Sequence, residues 1–237
     1  MPFGREIELQ NFKIAIKMNK ETKAENLHVS PTFGNTVLPA VVGYQTKYQI
    51  VYADPAWDFK GGGIYQDNGR KGRSISSQYK LTKTNDMAKL PIKDITDTDA
   101  FLFMWCTDSH LKQGIELMEA WGFRYSTIAF VWVKQYASGA LCSNVGRWTM
   151  KNCEIVLLGL KGTPLKYKKA KNIKQLVMAE RTGHSVKPDE VRNRIIQLCG
   201  DLPRIELFAR IKTDGWDVFG NEVKGSVNLE KYDNNGR

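Results

Sequence analysis

The feature that most constrains this chain is a series of short apolar runs, rich in strand formers and followed by polar or turn-forming residues. YQIVYA (48–53) stops at Asp54-Pro55, and AFLFMWC (100–106) stops before Asp108. STIAFVWVK (126–134), EIVLLGL (154–160), RIELFA (204–209) and WDVFG (216–220) continue the series. Apolar runs of this length predict strands buried on both faces. Segments with helical spacing lie between them. Asp108 or Ser109 is placed to cap a helix through Trp121, with Leu111, Ile115, Leu117 and Met118 on its apolar face and Gly122 closing it. Pro188 suits the first turn of a second helix, whose apolar positions are Val191, Ile195, Ile196 and Leu198. Strands alternating with helices predict an α/β sheet covered on both faces. In such sheets ligands gather beyond the carboxyl ends of strands, near a topological switch point.

The 237 residues have room for one well-buried domain and a small extra module. Residues 1–46, interrupted by Pro31, Gly34, Pro39 and Gly43, read as an N-terminal extension; 47–225 form the main domain and 226–237 a tail. No apolar run reaches the roughly 18 residues that a membrane span needs, and MPFGREIELQ lacks a signal-peptide layout. An intracellular, cytoplasmic protein without a membrane partner is the expectation. Cys106, Cys142, Cys153 and Cys199 form no CxxC pair and read as buried free thiols of a reducing compartment. His28, His110 and His184 make no metal-spaced cluster with them, so no metal site is expected. The net charge of +10 favours a polyanionic partner, without naming it.

Two loops stand out. Residues 60–78 combine consecutive glycines with Arg70, Lys71 and Arg73, and residues 161–174 carry six lysines, Lys168 and Lys169 among them. A charge run is commonly only a solvated face, but a long loop directly after a site-bearing strand is also a binding device.

The tetrapeptide Asp54-Pro55-Ala56-Trp57 carries the chemistry. A conjugated amino group is a poor nucleophile. A carboxylate and a backbone carbonyl that accept its two N–H bonds hold its lone pair toward a methyl donor. Asp54 offers the carboxylate, Pro55 the carbonyl of a stiff turn, and Trp57 a ring on which a base can stack. A strand-ending turn followed by a core tryptophan is the bland reading of the same residues.

The tetrapeptide resembles the Asp-Pro-Pro-Trp motif of the adenine amino-methyltransferases. The chain is similar to the branch that contains the catalytic subunit of the eukaryotic messenger-RNA adenosine methyltransferase and its bacterial and phage DNA-methylating relatives. The matching features run in the family's order: DPAW (54–57), Tyr79, FLFMW (101–105), WGF (121–123), VWVK (131–134), the Glu154 run, HSVKPDE (184–190), RIELFAR (204–210) and GWDVFGNEV (215–223). The resemblance implies a Rossmann-like S-adenosylmethionine-dependent methyltransferase fold in permuted order, with the catalytic motif ahead of the cofactor-binding segment. It implies methylation of the 6-amino group of adenine, with S-adenosylmethionine as cofactor and nucleic acid as partner. Asp54, Pro55, Ala56 and Trp57 would be catalytic. His184, Ser185, Lys187, Glu206, Phe208, Arg210, Asn221 and Glu222 would line the cofactor site, Glu206 and Phe208 sharing one face of a strand as alternate residues. Tyr79, Arg70, Lys71, Arg73, Lys168 and Lys169 would meet the substrate. Ala56 stands where the family usually has proline, a loss of backbone stiffness of about 1 kcal/mol or less.

DNA is the expected polymer, because the chain is compact and carries no recognisable RNA-binding module. The same reaction on RNA, a catalytically silent partner subunit and cytosine amino-methylation are the rival readings. A homodimer and a pairing with a related subunit are both compatible with the sequence. A phosphate-loop NTPase has little support, because no GxxxxGK[ST] string is present.

Overall fold

All six apolar runs are strands, and a seventh joins them. In chain order they are β1 (Tyr48–Ala53), β2 (Thr96–Cys106), β3 (Arg124–Gln135), β4 (Cys153–Lys161), β5 (Leu176–Glu180), β6 (Arg204–Leu207) and β7 (Asp217–Phe219). The computed structural model describes residues 47–57, 84–146, 148–183, 186–227 and 229. The sheet order is β5-β3-β4-β2-β1-β6-β7. β1 runs parallel to β2 and β6, β6 parallel to β7, and β3 parallel to β5. Among the described strands only β4 is antiparallel to its neighbours. This is a Rossmann-like α/β sheet. The chain leaves β1 toward β2 on one side and returns to β6 on the other. The switch point therefore lies between β1 and β6, and the Asp54 strand precedes β6 and β7 in the permuted order.

Strand alternation divides the core in two. Val51, Ala53, Leu102, Met104 and Cys106 face one side with Leu117, Met118 and Trp121. Ile50, Tyr52, Phe101, Phe103 and Trp105 face the other with Val191, Ile195 and Cys199. Because both faces are covered, β1 and the second half of β2 read as unbroken apolar runs. β5 escaped sequence reading for the opposite reason. It is an edge strand in which only Val177 is fully buried, and its apolar run, four residues from Leu176, is too short to stand out.

Four helices are described: α1 (Thr84–Ala88), α2 (Ile92–Ile95), α3 (Leu111–Ala120) and α4 (Asp189–Cys199). α3 ends as expected, at Gly122 with φ 84°, whose amide donates to the Glu119 carbonyl at 2.9 Å. Its start differs. A 3-10 turn, Asp108–His110, leads in without a side-chain cap, because Lys151 takes the Asp108 carboxylate. Its face also differs: Leu111 is exposed, and Gly114 lies against the sheet instead. There an added Cβ would sit 3.0 Å from Cys106 Sγ and 3.1 Å from Leu157 Cδ1. The missing side chain permits the close packing that offsets glycine's weak helix propensity.

Further expectations need correction. Cys153 is exposed, unlike the other three thiols. Burial pushes the Cys106 and Cys199 thiols up to about 12. Packing continues past residue 225: Ser226 pairs with Val218 along the edge of β7, and Leu229 is buried in the core. No helix among the described residues is long and apolar enough to cross a membrane. Residues 1–46, Tyr79, His184, Ser185 and the loop with Arg70, Lys71 and Arg73 lie outside the described residues.

Candidate active site

Asp54 stands at the switch point. It follows β1 directly, and its amide donates to the Leu207 carbonyl at the end of β6, 3.4 Å away. Its neighbours come from elements distant in sequence. Lys187, just ahead of α4, places Nζ 2.8 Å from Asp54 Oδ2. The same ammonium lies 3.5 Å from Glu154 Oε2. Glu154 Oε1 accepts from Lys134 Nζ at 2.5 Å. β4 brings Glu154 opposite Trp132 on β3, next to Lys134. Two cations and two carboxylates thus alternate across the carboxyl end of the sheet.

The tryptophans of β2 and β3 support this row. Lys187 Nζ lies 5.3 Å from the centre of the Trp105 ring and Lys134 Nζ 5.2 Å from that of Trp132. Lys187 is 9% exposed, so its charge needs compensation within the protein. Burial pushes its ammonium toward the neutral form, but attraction to Asp54 and Glu154 outweighs that and holds its pKa above the usual lysine value. Burial likewise favours a neutral Glu154, and Lys187 with Lys134 reverses the balance, holding it below the usual carboxylate value. The Asp54 carboxylate is thereby presented beside a fixed cation. A carboxylate has about four lone-pair positions, so Lys187 on Oδ2 leaves it capacity to accept further N–H bonds.

Pro55 is buried and Ala56 half-buried. Trp57 departs from its expected part. Its ring is 6% exposed and lies stacked on His110, centroids 5.6 Å apart, while its Nε1 donates to the Trp105 carbonyl at 3.2 Å. So placed, the indole is packed into the floor of the site and is not an open face for a base.

At the ends of β6 and β7 the chain makes a cradle. β6 stops at Leu207, and Phe208 takes φ 62°, a left-handed conformation that costs a non-glycine residue energy and that clusters at functional sites. The Ala209 amide donates to the Phe219 carbonyl at 3.0 Å, and a Cβ at Gly220 would strike the Ala209 backbone. Arg210 Nε lies 3.9 Å from Glu222 Oε1, with Asn221 exposed beside them. A guanidinium, a carboxylate, an amide and an aromatic ring suit a ligand that carries charge, hydroxyls and a flat base, and S-adenosylmethionine is one.

Two sequence readings fail here. Glu206 and Phe208 do not share a face, because the strand ends between them. Phe208 packs on Trp121, 6.3 Å between centroids, whereas Glu206 turns to the other side of the sheet. There Arg192 holds both Glu206 oxygens, at 2.7 and 2.9 Å. Lys168 and Lys169 are not at the site. β4 runs against its neighbours, so its end, Lys161, pairs with Ala100 near the start of β2. The lysine-rich segment follows from there: Lys166 binds Asp99 at 2.6 Å, and the Lys169 amide donates to the Leu198 carbonyl at the end of α4. The eight-residue stretch of β2 from Asp99 to Cys106 separates this edge from the Asp54 end, roughly 20 Å at a strand's rise.

Lys134, Glu154 and Arg192 carry site geometry that the sequence reading did not assign. A signal was present for each: a charge at the edge of an apolar run in VWVK and EIVLLGL, and one inside the apolar pattern of VRNRIIQL.

The MT-A70 family profile matches residues 48–222. The chain is 36% identical over 216 residues to the Type II methyltransferase M.MunI of Mycoplasma sp, covering 86% of this chain and 88% of that protein. It is 29% identical over 182 residues to the N(6)-adenosine-methyltransferase catalytic subunit METTL3 of Homo sapiens and to the METTL3 subunit of Danio rerio. Those matches span 76% of this chain but under a third of either METTL3 protein.

Proposed function

The chain belongs to the MT-A70 family of S-adenosylmethionine-dependent methyltransferases, and from that premise we propose that it methylates the 6-amino group of adenine in DNA. The observation that carries this reading is Asp54 at the β1–β6 switch point, paired with a buried lysine and held beside the β6–β7 cradle. Similarity along most of the length of a bacterial Type II methyltransferase favours DNA. RNA is the second reading, favoured by the adenosine methyltransferases but over only a small part of their length.

S-adenosylmethionine supplies a methyl group on a sulfonium centre. Asp54 and the Pro55 carbonyl accept the N–H bonds of the target amino group and turn its lone pair outward. Lys187, 2.8 Å from Oδ2, holds the Asp54 carboxylate in orientation, so the acceptor needs no reorganisation during reaction. Phe208, Arg210, Asn221 and Glu222 hold the cofactor, and the family resemblance assigns His184 and Ser185 to the same role. Trp57 closes the floor of the adenine pocket. An adenine in a duplex leaves the base stack before it reaches this depth. Tyr79, Arg70, Lys71 and Arg73 meet the nucleic acid from the segment after Trp57. The catalytic unit is residues 47–225 extended to Leu229, and it acts in the cytoplasm of a bacterial or phage-infected cell, alone, as a homodimer or with a related subunit.

Transfer of labelled methyl to matched unmethylated DNA and RNA oligomers, with product nucleosides identified by mass spectrometry, tests this. N6-methyladenine in DNA is expected from the wild type, and none from Asp54→Ala, which still binds S-adenosylmethionine. Normal turnover by Asp54→Ala would overturn the mechanism, and transfer to RNA alone would overturn the polymer.

A further inference from the structure

A lysine ammonium on a four-carbon stem is a mobile group, and Lys187 precedes α4 on an extended segment. Pro188 at the helix start has φ −68° and ψ 134°, and no side-chain cap bond fixes it. Lys187 also has two carboxylates in reach, Asp54 at 2.8 Å and Glu154 at 3.5 Å. Something must choose between them, and the choice decides whether Asp54 is oriented.

The next residue of α4 to reach back into the sheet is Arg192. It is 8% exposed, in a helix whose other buried positions are Val191, Ile195 and Cys199. Each of its three guanidinium nitrogens donates to a carboxylate. Nε and Nη2 hold the two oxygens of Glu206, and Nη1 reaches Asp189 in the first turn at 2.7 Å. Its plane lies over Tyr52, 5.3 Å from the ring centre. Tyr52 and Glu206 are cross-strand partners in the β1–β6 pairing, two residues before Asp54 and Phe208 respectively. The Tyr52 hydroxyl accepts from Trp105 Nε1 at 2.5 Å, and Trp105 is the ring beneath Lys187. The contacts close a circuit from Arg192 through Tyr52 and Trp105 to Lys187, completed by the turn in which the Val191 amide donates to the Pro188 carbonyl at 3.1 Å.

We propose that Arg192 is a positioning residue for methyl transfer. Gripping Glu206 and Asp189 together, it pins the first turn of α4 to the cofactor strand and delivers Lys187 to Asp54. It touches neither cofactor nor substrate. A bidentate fork is required, because one cationic point charge would satisfy Glu206 without fixing the rotation of the helix. Glu206 then serves as the anchor of this grip. The inference rests on the reading of Asp54 as the group that orients the target.

The test is Arg192→Lys in the full-length protein, read by kcat, KM for S-adenosylmethionine, thermal unfolding and a crystal structure. We expect kcat to fall about tenfold to a hundredfold, the scale of an ångström's misplacement, with KM changed less than about threefold. The structure should show Lys187 displaced from Asp54. Three results overturn the proposal: Lys187 still seated on Asp54 in the variant, kcat within about threefold of wild type, or a loss that falls on KM alone. If Arg192→Lys does not fold, Arg192→Met with Glu206→Gln leaves no unpaired buried charge and is read the same way. A wild type that methylates neither DNA nor RNA defeats the functional reading. The Lys187 position in the variant structure still decides this one.

Discussion

Both ends of the sheet carry ion pairs and use them differently. At the amino end, Lys166 meets Asp99 and Arg204 meets Asp201 in pairs with at least one well-exposed partner, each tying a strand residue to a turn beside it. At the carboxyl end, Lys134, Glu154, Lys187 and Asp54 are largely buried and come from four separate segments. Exposed pairs contribute about 0–1 kcal/mol. Buried rows cost desolvation, and breaking one leaves an uncompensated charge. Density of lysine in the sequence therefore points to the wrong end of this molecule, and strand direction points to the right one.

Lys187→Met strikes the row hardest. It leaves Asp54 and Glu154 facing each other without their shared cation, and a stability loss of about 3–5 kcal/mol is expected by denaturant unfolding, with methyl transfer reduced to near background. An unchanged midpoint would show that the row is decorative. Glu154→Gln should act next, through pH. The folded-state pKa of Glu154 lies below its ordinary 4.5, so its contribution is present above that value and lost as pH falls through the lowered one. Lys187 is raised above its ordinary 10.5, so its contribution is present below that value and lost as pH rises through the raised one. Unfolding followed from pH 7 toward acid should fall less steeply in Glu154→Gln than in wild type; parallel curves would remove Glu154 from the row.

Gly114→Ala probes the packing that carries β2 to the site. Helix propensity gains about 1 kcal/mol, but overpacking against the buried Cys106 and Leu157 side chains costs about 1–3 kcal/mol. A net loss near 1 kcal/mol is expected in thermal unfolding, and a gain would mean that the contact relaxes freely. The smallest effect belongs to the amino end. Lys168→Ala with Lys169→Ala should leave KM for DNA within about twofold at moderate salt. A tenfold rise would return the lysine-rich segment to the substrate path and break the contrast between the two ends.

Much of this was legible in the chain. Apolar runs located β1, β2, β3, β4, β6 and β7, because strands covered on both faces need no polar alternation. Asp54 was singled out by its place after such a run; Lys187, read ahead of Pro188 as a cofactor-binding residue, is bonded to Asp54 in the structure. β5 was illegible because one buried valine makes no pattern. The parts of Trp57 and Glu206 were misread for a shared reason. Sequence indicates that a ring or carboxylate sits near a strand end, but the neighbours that occupy it, His110 and Arg192, arrive from other elements.

Local chemistry, then, was determined by sequence alone: which runs are strands, where a turn stiffened by Pro55 ends one, and which side chains can accept an N–H bond or carry a charge. Only tertiary structure decided which of those charges meet. Pairing depends on strand direction and helix register, which are set by long-range burial rather than by neighbours along the chain. The antiparallel course of β4 sends Glu154 to Lys187 and six lysines to the far edge of the sheet.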